Sequence, residues 1–120
     1  MLGIVIVNYN DWDNLRNCIA SVSVDIPYKI YVVDNDSKFD SYVYELNQMQ
    51  NVVLINSPTN LGYSRANNLG LEKALNDGCD YFLISNTDII YNSFSISTLI
   101  SFLVDPIKYD NLCTNVLHHN

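Results

Sequence analysis

The chain has few basic residues and no long apolar run. Of its 120 residues, 6 are Lys or Arg and 13 are Asp or Glu, which gives a net charge of −7. This charge argues against DNA or RNA as a partner, because phosphate backbones bind basic surfaces. No apolar stretch approaches the roughly 20 residues that a membrane-spanning helix needs, and residues 1–7 lack the basic leader of a secretory signal. We therefore expect a cytoplasmic protein with no membrane span.

Cysteine and histidine are also scarce. The three cysteines, Cys18, Cys79 and Cys113, have neither the spacing of a metal site nor an even pairing. Buried free thiols in a reducing compartment are therefore the favoured interpretation. The two histidines, His118 and His119, follow the last predicted element, and we expect no catalytic role for them.

Glycine-rich phosphate loops are missing as well. The first apolar run is followed by Asn8-Tyr9-Asn10, where a dinucleotide-binding protein would carry Gly-x-Gly-x-x-Gly, and no Gly-x-x-x-x-Gly-Lys loop occurs. The backbone of a glycine turn therefore cannot hold a pyrophosphate here. A nucleotide would have to be held by side chains and by a cation, because an acidic protein repels bare phosphates.

The chain does contain a regular alternation of strand and helix patterns. Apolar runs predict strands at 3–7, 30–33, 52–55 and 81–85, and helical spacing of apolar residues predicts helices at about 11–22, 41–49, 64–76 and 95–104. Short connections between such elements imply right-handed crossovers. We predict one α/β domain over residues 1–120, an open doubly wound, Rossmann-like parallel sheet with strand order 3-2-1-4 and helices on both faces.

The third predicted helix carries small residues at every fourth position. These are Ala66, Gly70 and Ala74. We expect this stripe to let the helix approach the sheet closely, with Leu71 and Leu75 on the same side.

Polar residues directly follow every predicted strand. In open parallel sheets, ligands bind outside the carboxyl ends of the strands, where the strand order reverses. Each loop alone could simply form a turn, but four polar strand ends together predict a nucleotide-binding site along this edge. The four segments are Asn8-Tyr9-Asn10, Asp34-Asn35, Asn56-Ser57 and Asn86-Thr87-Asp88.

Single residues at this edge have two interpretations each. Asp34 could accept a hydrogen bond from the imide N–H of uracil or thymine, or it could form a turn. Tyr9 could stack on the base or cover the sheet edge. Asp88 could give a hard oxygen to Mg²⁺ or Mn²⁺, or it could cap the turn before Ile89. Arg65 could contact a phosphate or remain in solvent.

With these residues in place, the chain resembles family 2 glycosyltransferases of the GT-A fold, especially the rhamnosyltransferase-like branch. The likeness covers roughly residues 3–105 and depends on the order and spacing of five short segments. They are VIVNYN (5–10), DNLRNCIASV (13–22), YVVDNDS (31–37), NLGYSRANNLG (60–70) and YFLISNTDI (81–89).

The resemblance implies a pocket for a pyrimidine nucleotide. Tyr9 and Asp34 match positions that hold the base, and Val7 and Asn8 border the same pocket. Asn68 matches a position on the nucleotide side of the site. The implied donor is a UDP- or dTDP-linked sugar.

The resemblance also implies a divalent cation, Mg²⁺ or Mn²⁺. Asn86 and Asp88 match the first and last members of the Asp-x-Asp motif. Asp88 would bind the metal, while Asn86 would contact the ribose or a metal-bound water. The amide at position 86 departs from the simplest form of the motif and removes one negative charge.

Members of this family transfer a sugar to a hydroxyl of a glycan or lipid-linked glycan, with inversion at the anomeric carbon. The metal acts as a Lewis acid, and a carboxylate base deprotonates the acceptor. In the family that base lies well beyond the Asp-x-Asp motif, and the later carboxylates here, Asp105 and Asp110, have no matching context. We therefore expect the truncated, nucleotide-sugar-binding half of such an enzyme, with the general base missing and little or no transfer by the isolated chain.

Three alternatives stay open. A non-catalytic or vestigial nucleotide-sugar-binding module would share every strand-end residue. A phospho-receiver domain would need paired acids after the first strand, where this chain has Asn8-Tyr9-Asn10. A purely structural interaction domain is the third alternative.

Truncation would also expose a sheet edge. We expect the strand after 81–85 to lose its outer neighbours, and Phe94, Phe102 and Leu103 to add exposed apolar surface. Exposed edges pair with other chains. The sequence therefore predicts a homodimer.

Overall fold

Strands and helices alternate along the chain in the computed structural model, which describes residues 1–92, 96–98, 100 and 116–118. Residues 96–98 and 100 are helical, and the rest of the helix predicted at 95–104 lies outside the described residues. The strands are β1 (Leu2–Asn8), β2 (Tyr28–Asn35), β3 (Val52–Ser57), β4 (Tyr81–Ser85) and β5 (Val116–His118). The helices with complete bounds are α1 (Trp12–Ser21), α2 (Tyr42–Gln48) and α3 (Tyr63–Asn76).

The five strands form one sheet in the order β3-β2-β1-β4-β5. β1 pairs in parallel with β2 on one side and with β4 on the other, and β2 pairs in parallel with β3. This arrangement confirms the predicted α/β fold and the strand order 3-2-1-4. β5, which runs antiparallel to β4, was not predicted, because three residues are too few to show a strand pattern.

The outer side of β4 is covered by β5, which is the outermost strand of the described sheet on this side. β5 returns along β4 and places residue 118 opposite Tyr81. The apolar residues that were expected to add to this edge, Phe94, Phe102 and Leu103, lie outside the described residues. The homodimer therefore stays a prediction.

Helices cover both faces of the sheet, as predicted. Alternate residues of a strand point to opposite faces, and β1 accordingly sends Ile4 to one core and Val5 to the other. The core under α1 and α2 contains Leu2, Ile4, Ile6, Ile30 and Val32 of the sheet with Trp12, Leu15, Cys18, Ile19, Tyr42 and Leu46 of the helices. The core under α3 contains Val5, Tyr31, Val33, Ala66, Ala74, Cys79 and Phe82.

Helix α3 lies close to the sheet because its contact stripe is small, as predicted. A Cβ on Gly70 would lie 2.5 Å from Cγ1 of Val5 and 3.1 Å from Cγ2 of Val33. Leu75 does not share this side, since it is 44% exposed. Five residues after Gly70, it lies about 140° around the helix from the sheet-facing direction.

Strands β2 and β3 extend two residues beyond their predicted ends. The ladder continues with Asp34 opposite Asn56 and Asn35 opposite Ser57. This extension draws two polar side chains into the sheet, where Asp34 is 8% and Asn35 is 3% exposed. The strand ends are therefore deeper in the molecule than the sequence pattern suggested.

Two further expectations concern cysteines and membranes. Cys18 and Cys79 are buried free thiols, as predicted, and Cys113 lies outside the described residues. Among the helices that the structure describes, none has the length and apolar character needed to cross a membrane.

Candidate functional site

An open cleft of about 450 Å³ lies at the carboxyl ends of the parallel strands. It occupies the point where the strand order reverses, with β1 between β2 and β4. Four predicted site residues line it: Val7, Tyr9, Asn86 and Asp88. The lining also includes Asp11, Asn35, Asn60, Tyr63 and Thr87.

Asn8 and Asp34 lie beneath the cleft instead of lining it. Asn8 is fully buried, and its Nδ2 donates to Oδ1 of Asp34 over 3.1 Å and to Oγ of Ser37 over 3.3 Å. The other Asp34 oxygen accepts the backbone N–H of Ser37 at 3.3 Å. Each carboxylate oxygen can accept more than one hydrogen bond. Asp34 is thus held rigidly, with acceptor capacity left.

The two loops on this side of the cleft are tied together. Asn10 adopts a left-handed conformation with φ of 52°, which Asn tolerates better than most residues. Its N–H donates to Oγ of Ser37 at 2.7 Å, and its Oδ1 accepts the N–H of Lys38 at 2.7 Å. The preceding residue, Tyr9, is left with 54% of its surface exposed to solvent. An exposed ring on a tied loop is suited to stacking against a flat ligand.

The loop before α3 forms the opposite wall. Asn35 donates through Nδ2 to Oδ1 of Asn60 at 2.9 Å and accepts the N–H of Leu61 at 2.7 Å. Gly62 has φ of 79°, a conformation that favours glycine, and caps the start of α3. Together these contacts set the first helical residue, Tyr63, at the rim of the cleft.

The predicted residue on α3, Asn68, is exposed and does not line the cleft. Its neighbour Asn67 is 5% exposed, and Oδ1 of Asn67 has no hydrogen-bond partner in the described structure. Buried polar atoms without a partner are uncommon. The signal that could have singled out Asn67 is its spacing from Gly70 and Ala74, which places it nearer the sheet side. Arg65 is exposed and does not line the cleft.

The turn after β4 carries the predicted metal ligand. Tyr63 donates its hydroxyl to Oδ1 of Asn86 at 2.7 Å, and Thr87 donates its hydroxyl to Oδ2 of Asp11 at 2.6 Å. Asp88 is exposed, and within the described part of the chain its carboxylate makes no hydrogen bond or ion pair. Sequence reasoning placed Thr87 at this edge but gave no site role to Asp11 or Tyr63, because their pairing joins distant segments.

Beneath this turn lies a small polar layer. The Cys18 thiol lies 3.8 Å from Oγ of Ser85 and donates to the carbonyl of Asn86 over 3.7 Å, and Tyr91 donates to Oγ of Ser85 at 2.8 Å. Burial raises the pKa of Cys18, with the negative charge of Asp88 adding to the effect. Burial likewise raises the pKa of Tyr91. Both raised pKa values favour the protonated forms, which can donate hydrogen bonds within this layer.

The cleft offers oxygen ligands but no complete protein cage. Across residues 1–92 and the short described segments after them, no group of three or more His, Cys, Asp or Glu side chains could hold a metal ion. Asp11 and Asp88 are the carboxylates in the cleft lining. A cation here would take its remaining ligands from water and from phosphate, as Mg²⁺ commonly does.

The family model for glycosyl transferase family 2 matches residues 3–120. The chain belongs to this family. The match confirms the resemblance drawn from the five sequence segments. No curated protein matches this family 2 chain.

Solved structures of TarS from S. aureus share the fold of this family 2 member. The structure of TarS 1-349 has a TM-score of 0.73 and 19% sequence identity, over 87% of this chain and 32% of that one. The TarS complex with UDP has a TM-score of 0.72 and 19% sequence identity, over 87% of this chain and 32% of that one. The TarS complex with UDP-GlcNAc has a TM-score of 0.73 and 19% sequence identity, over 87% of this chain and 31% of that one. The chain therefore spans about a third of the length of these structures. At this identity the likeness shows the GT-A-type α/β fold alone.

Proposed function

We propose that this chain binds a UDP- or dTDP-linked sugar together with Mg²⁺ or Mn²⁺, as the donor side of an inverting glycosyltransferase. The observation that carries the proposal is the cleft at the strand-order reversal. It combines an exposed aromatic ring, Tyr9, with an exposed carboxylate, Asp88, that has no partner among the described residues. Membership of family 2 and the TarS complexes with UDP and UDP-GlcNAc support this assignment.

The donor set fits a hard divalent cation. Asp88 would hold the cation, while the side chains of Asn86 and Thr87 adjoin it in the same turn. Mg²⁺ is usually bound by one or two carboxylates plus substrate phosphates, so a single free carboxylate is sufficient. When bound, the cation supplies positive charge that offsets the charge developing on the departing diphosphate.

The pyrimidine would lie on the β2 side of the cleft. Tyr9 would stack on its face, Val7 would contact its edge, and Asp34 would accept its imide N–H from below. The Asn8 and Ser37 contacts fix Asp34 in one orientation. We assign Asn68 a place at the outer nucleotide side.

The acceptor would be a hydroxyl of a glycan or lipid-linked glycan. Inversion requires a base on the acceptor side of the anomeric carbon. Asp11 and Asp88 are the carboxylates that line the described cleft, and we assign neither as that base. The proposal for the 120-residue chain is therefore donor binding, with transfer as the activity of the family.

Calorimetric titration tests the proposal. UDP and dTDP are titrated into the chain with and without Mn²⁺, for the wild type, Asp88→Ala and Asp34→Ala, with Asp13→Ala as the control because Asp13 is an exposed acid on α1. We expect nucleotide binding to depend on Mn²⁺, and Asp88→Ala to weaken it roughly tenfold to a hundredfold. Asp34→Ala should weaken nucleotide binding both with and without the metal. Asp13→Ala should leave binding unchanged. Absence of Mn²⁺-assisted binding of both nucleotides would contradict the proposal.

A further inference from the structure

Two side chains from distant elements hold the turn that carries Asp88. Asp11 precedes α1 and accepts from Thr87, 76 residues away in sequence. Tyr63 begins α3 and donates to Asn86, 23 residues away. We propose that Asp11 and Tyr63 are positioning residues that fix this turn at two points, so that Asp88 faces the cation and Asn86 faces the nucleotide. This inference rests on the proposed function.

The side chain of Asp11 contacts Thr87 and does not cap helix α1. It occupies the N-cap of α1, where an acid usually accepts a backbone N–H of the first turn. Its side chain makes no such capping bond. Instead Nδ2 of Asn14 donates to both of its oxygens, at 3.0 and 3.2 Å, and Thr87 donates to Oδ2. A helix start that forgoes its cap while fixing a cleft turn indicates a functional constraint.

Tyr63 determines which end of the Asn86 amide reaches the ligand. The tyrosine hydroxyl donates to Oδ1 of Asn86 at 2.7 Å. In this proposal the bond holds the amide so that its N–H groups are available to the cleft. An N–H donor suits a ribose or phosphate oxygen and cannot bind a cation. Asn86 would then contact the nucleotide, and the carboxylate of Asp88 would be the metal ligand of the turn.

Asp11 and Tyr63 themselves line the cleft, and the role we assign to them is exerted through the turn. Thr87 is half-buried, while Asn86 and Asp88 on either side of it are exposed. The carbonyl of Asn86 also accepts from Ser85 at 3.0 Å, so the start of the turn is anchored even when one contact is removed. Loss of either hydroxyl should therefore leave the fold intact and loosen the two exposed ends. Partners that orient metal ligands commonly change metal affinity by about 10- to 100-fold.

The test uses Mn²⁺ binding followed by electron paramagnetic resonance, with and without UDP, on the 120-residue chain. Thr87→Val removes the hydroxyl that reaches Asp11, and Thr87→Ser restores it. Tyr63→Phe removes the hydroxyl that reaches Asn86, and Tyr44→Phe is its control, because Tyr44 is a 64% exposed tyrosine on α2 away from the cleft. Circular dichroism monitors folding of each variant.

We expect Thr87→Val to weaken Mn²⁺ binding in the presence of UDP by about tenfold, with Thr87→Ser within about twofold of the wild type. Tyr63→Phe should weaken UDP binding more than it weakens Mn²⁺ binding without UDP, and Tyr44→Phe should change neither. Unaltered binding by both Thr87→Val and Tyr63→Phe would overturn this inference alone. Absence of Mn²⁺-dependent UDP binding by the wild type would overturn the proposed function and this inference together. If Thr87→Val does not fold, Tyr63→Phe, which deletes an exposed hydroxyl, decides the test.

Discussion

Asp77 at the amino end of the parallel sheet and Asp88 at its carboxyl end have opposite surroundings. At the amino end, Asp77 accepts from the Tyr31 hydroxyl at 2.9 Å and from Nζ of Lys73 at 2.9 Å, with Nζ of Lys29 at 3.9 Å. At the carboxyl end, Asp88 is exposed and has no cationic partner within the described residues. An acid whose charge is already compensated contributes to stability. An acid left without compensation is available to a ligand.

The pKa values of Asp77 and Tyr31 agree with a stabilising role for the network at the amino end. The hydrogen bond from Lys73, then that from Tyr31, hold the pKa of Asp77 below its ordinary value of 3.8. Burial raises the pKa of Tyr31, with contacts to Cys79 and Asp77 adding to the effect, so its hydroxyl remains a donor. The network is therefore locked in one protonation state at neutral pH. Both of its lysines already pair with Asp77.

Neutralising one acid at each end should give opposite results. Asp88→Asn should weaken Mn²⁺-dependent UDP binding roughly tenfold to a hundredfold while changing the free energy of unfolding by less than about 0.5 kcal/mol. Asp77→Asn should lower the free energy of unfolding by about 1 kcal/mol and leave UDP binding unchanged. Urea denaturation and calorimetry on both variants check this. If both variants lost the same property, the division between the two ends would be wrong.

Removing the buried donor should weaken the amino end without touching the cleft. Tyr31 is fully buried, and Tyr31→Phe deletes the hydroxyl that Asp77 accepts. Because hydrogen bonds to charged groups are the stronger ones, we expect a loss of about 1–2 kcal/mol in the free energy of unfolding. Tyr44→Phe, an exposed tyrosine, serves as the control in the same denaturation series. Equal effects of the two variants would show that the Tyr31 hydroxyl contributes nothing.

Acid titration should sharpen the comparison further. The lowered pKa of Asp77 means that the folded state favours its carboxylate. The stabilisation is therefore present above pH 3.8 and disappears as the pH falls through the still lower pKa of the folded state. The difference in unfolding free energy between wild type and Asp77→Asn should shrink over that range. A difference that stays constant down to low pH would contradict the shift.

The two lysines at the amino end should contribute unequally to the free energy of unfolding, and this is the smallest effect that we predict. Both are partly exposed, but Lys73 lies 2.9 Å from Asp77 and Lys29 lies 3.9 Å away. Lys73 also stands in the last turn of α3, where a positive charge is favourable. Lys73→Met should lower the free energy of unfolding by about 0.5 kcal/mol, and Lys29→Met by less. A larger loss for Lys29→Met would reverse this ranking.

The sequence predicted the sheet better than it predicted the depth of the site. Apolar runs followed by polar residues were enough to place β1 to β4 and their order, because parallel strands between layers of helices have near-continuous apolar sequences. They could not show that the β2–β3 ladder continues through Asp34 and Asn35, which buries both side chains. Strand length is decided by the partner strand, and this information is not local.

The contacts within the cleft could not be predicted from the sequence, because they too join distant segments. The bond between Thr87 and Asp11 joins two turns that come together only after the sheet forms. On α3, a rotation of one residue separates the exposed Asn68 from the buried Asn67. A helix pattern gives the face within about one residue, and one residue is about 100°. Residue-level roles on helices therefore needed the structure.

Amide chemical-shift mapping by NMR tests the contrast between the two ends most directly. On addition of UDP and Mg²⁺ to the 120-residue chain, we expect the largest shifts at Tyr9, Asn35, Tyr63, Thr87 and Asp88, which line the cleft. Amides around Asp77 and Cys79 at the amino end should stay in place. Shifts confined to the amino end, or no shifts on addition of UDP and Mg²⁺, would contradict the central claim that the uncompensated acid marks a nucleotide site.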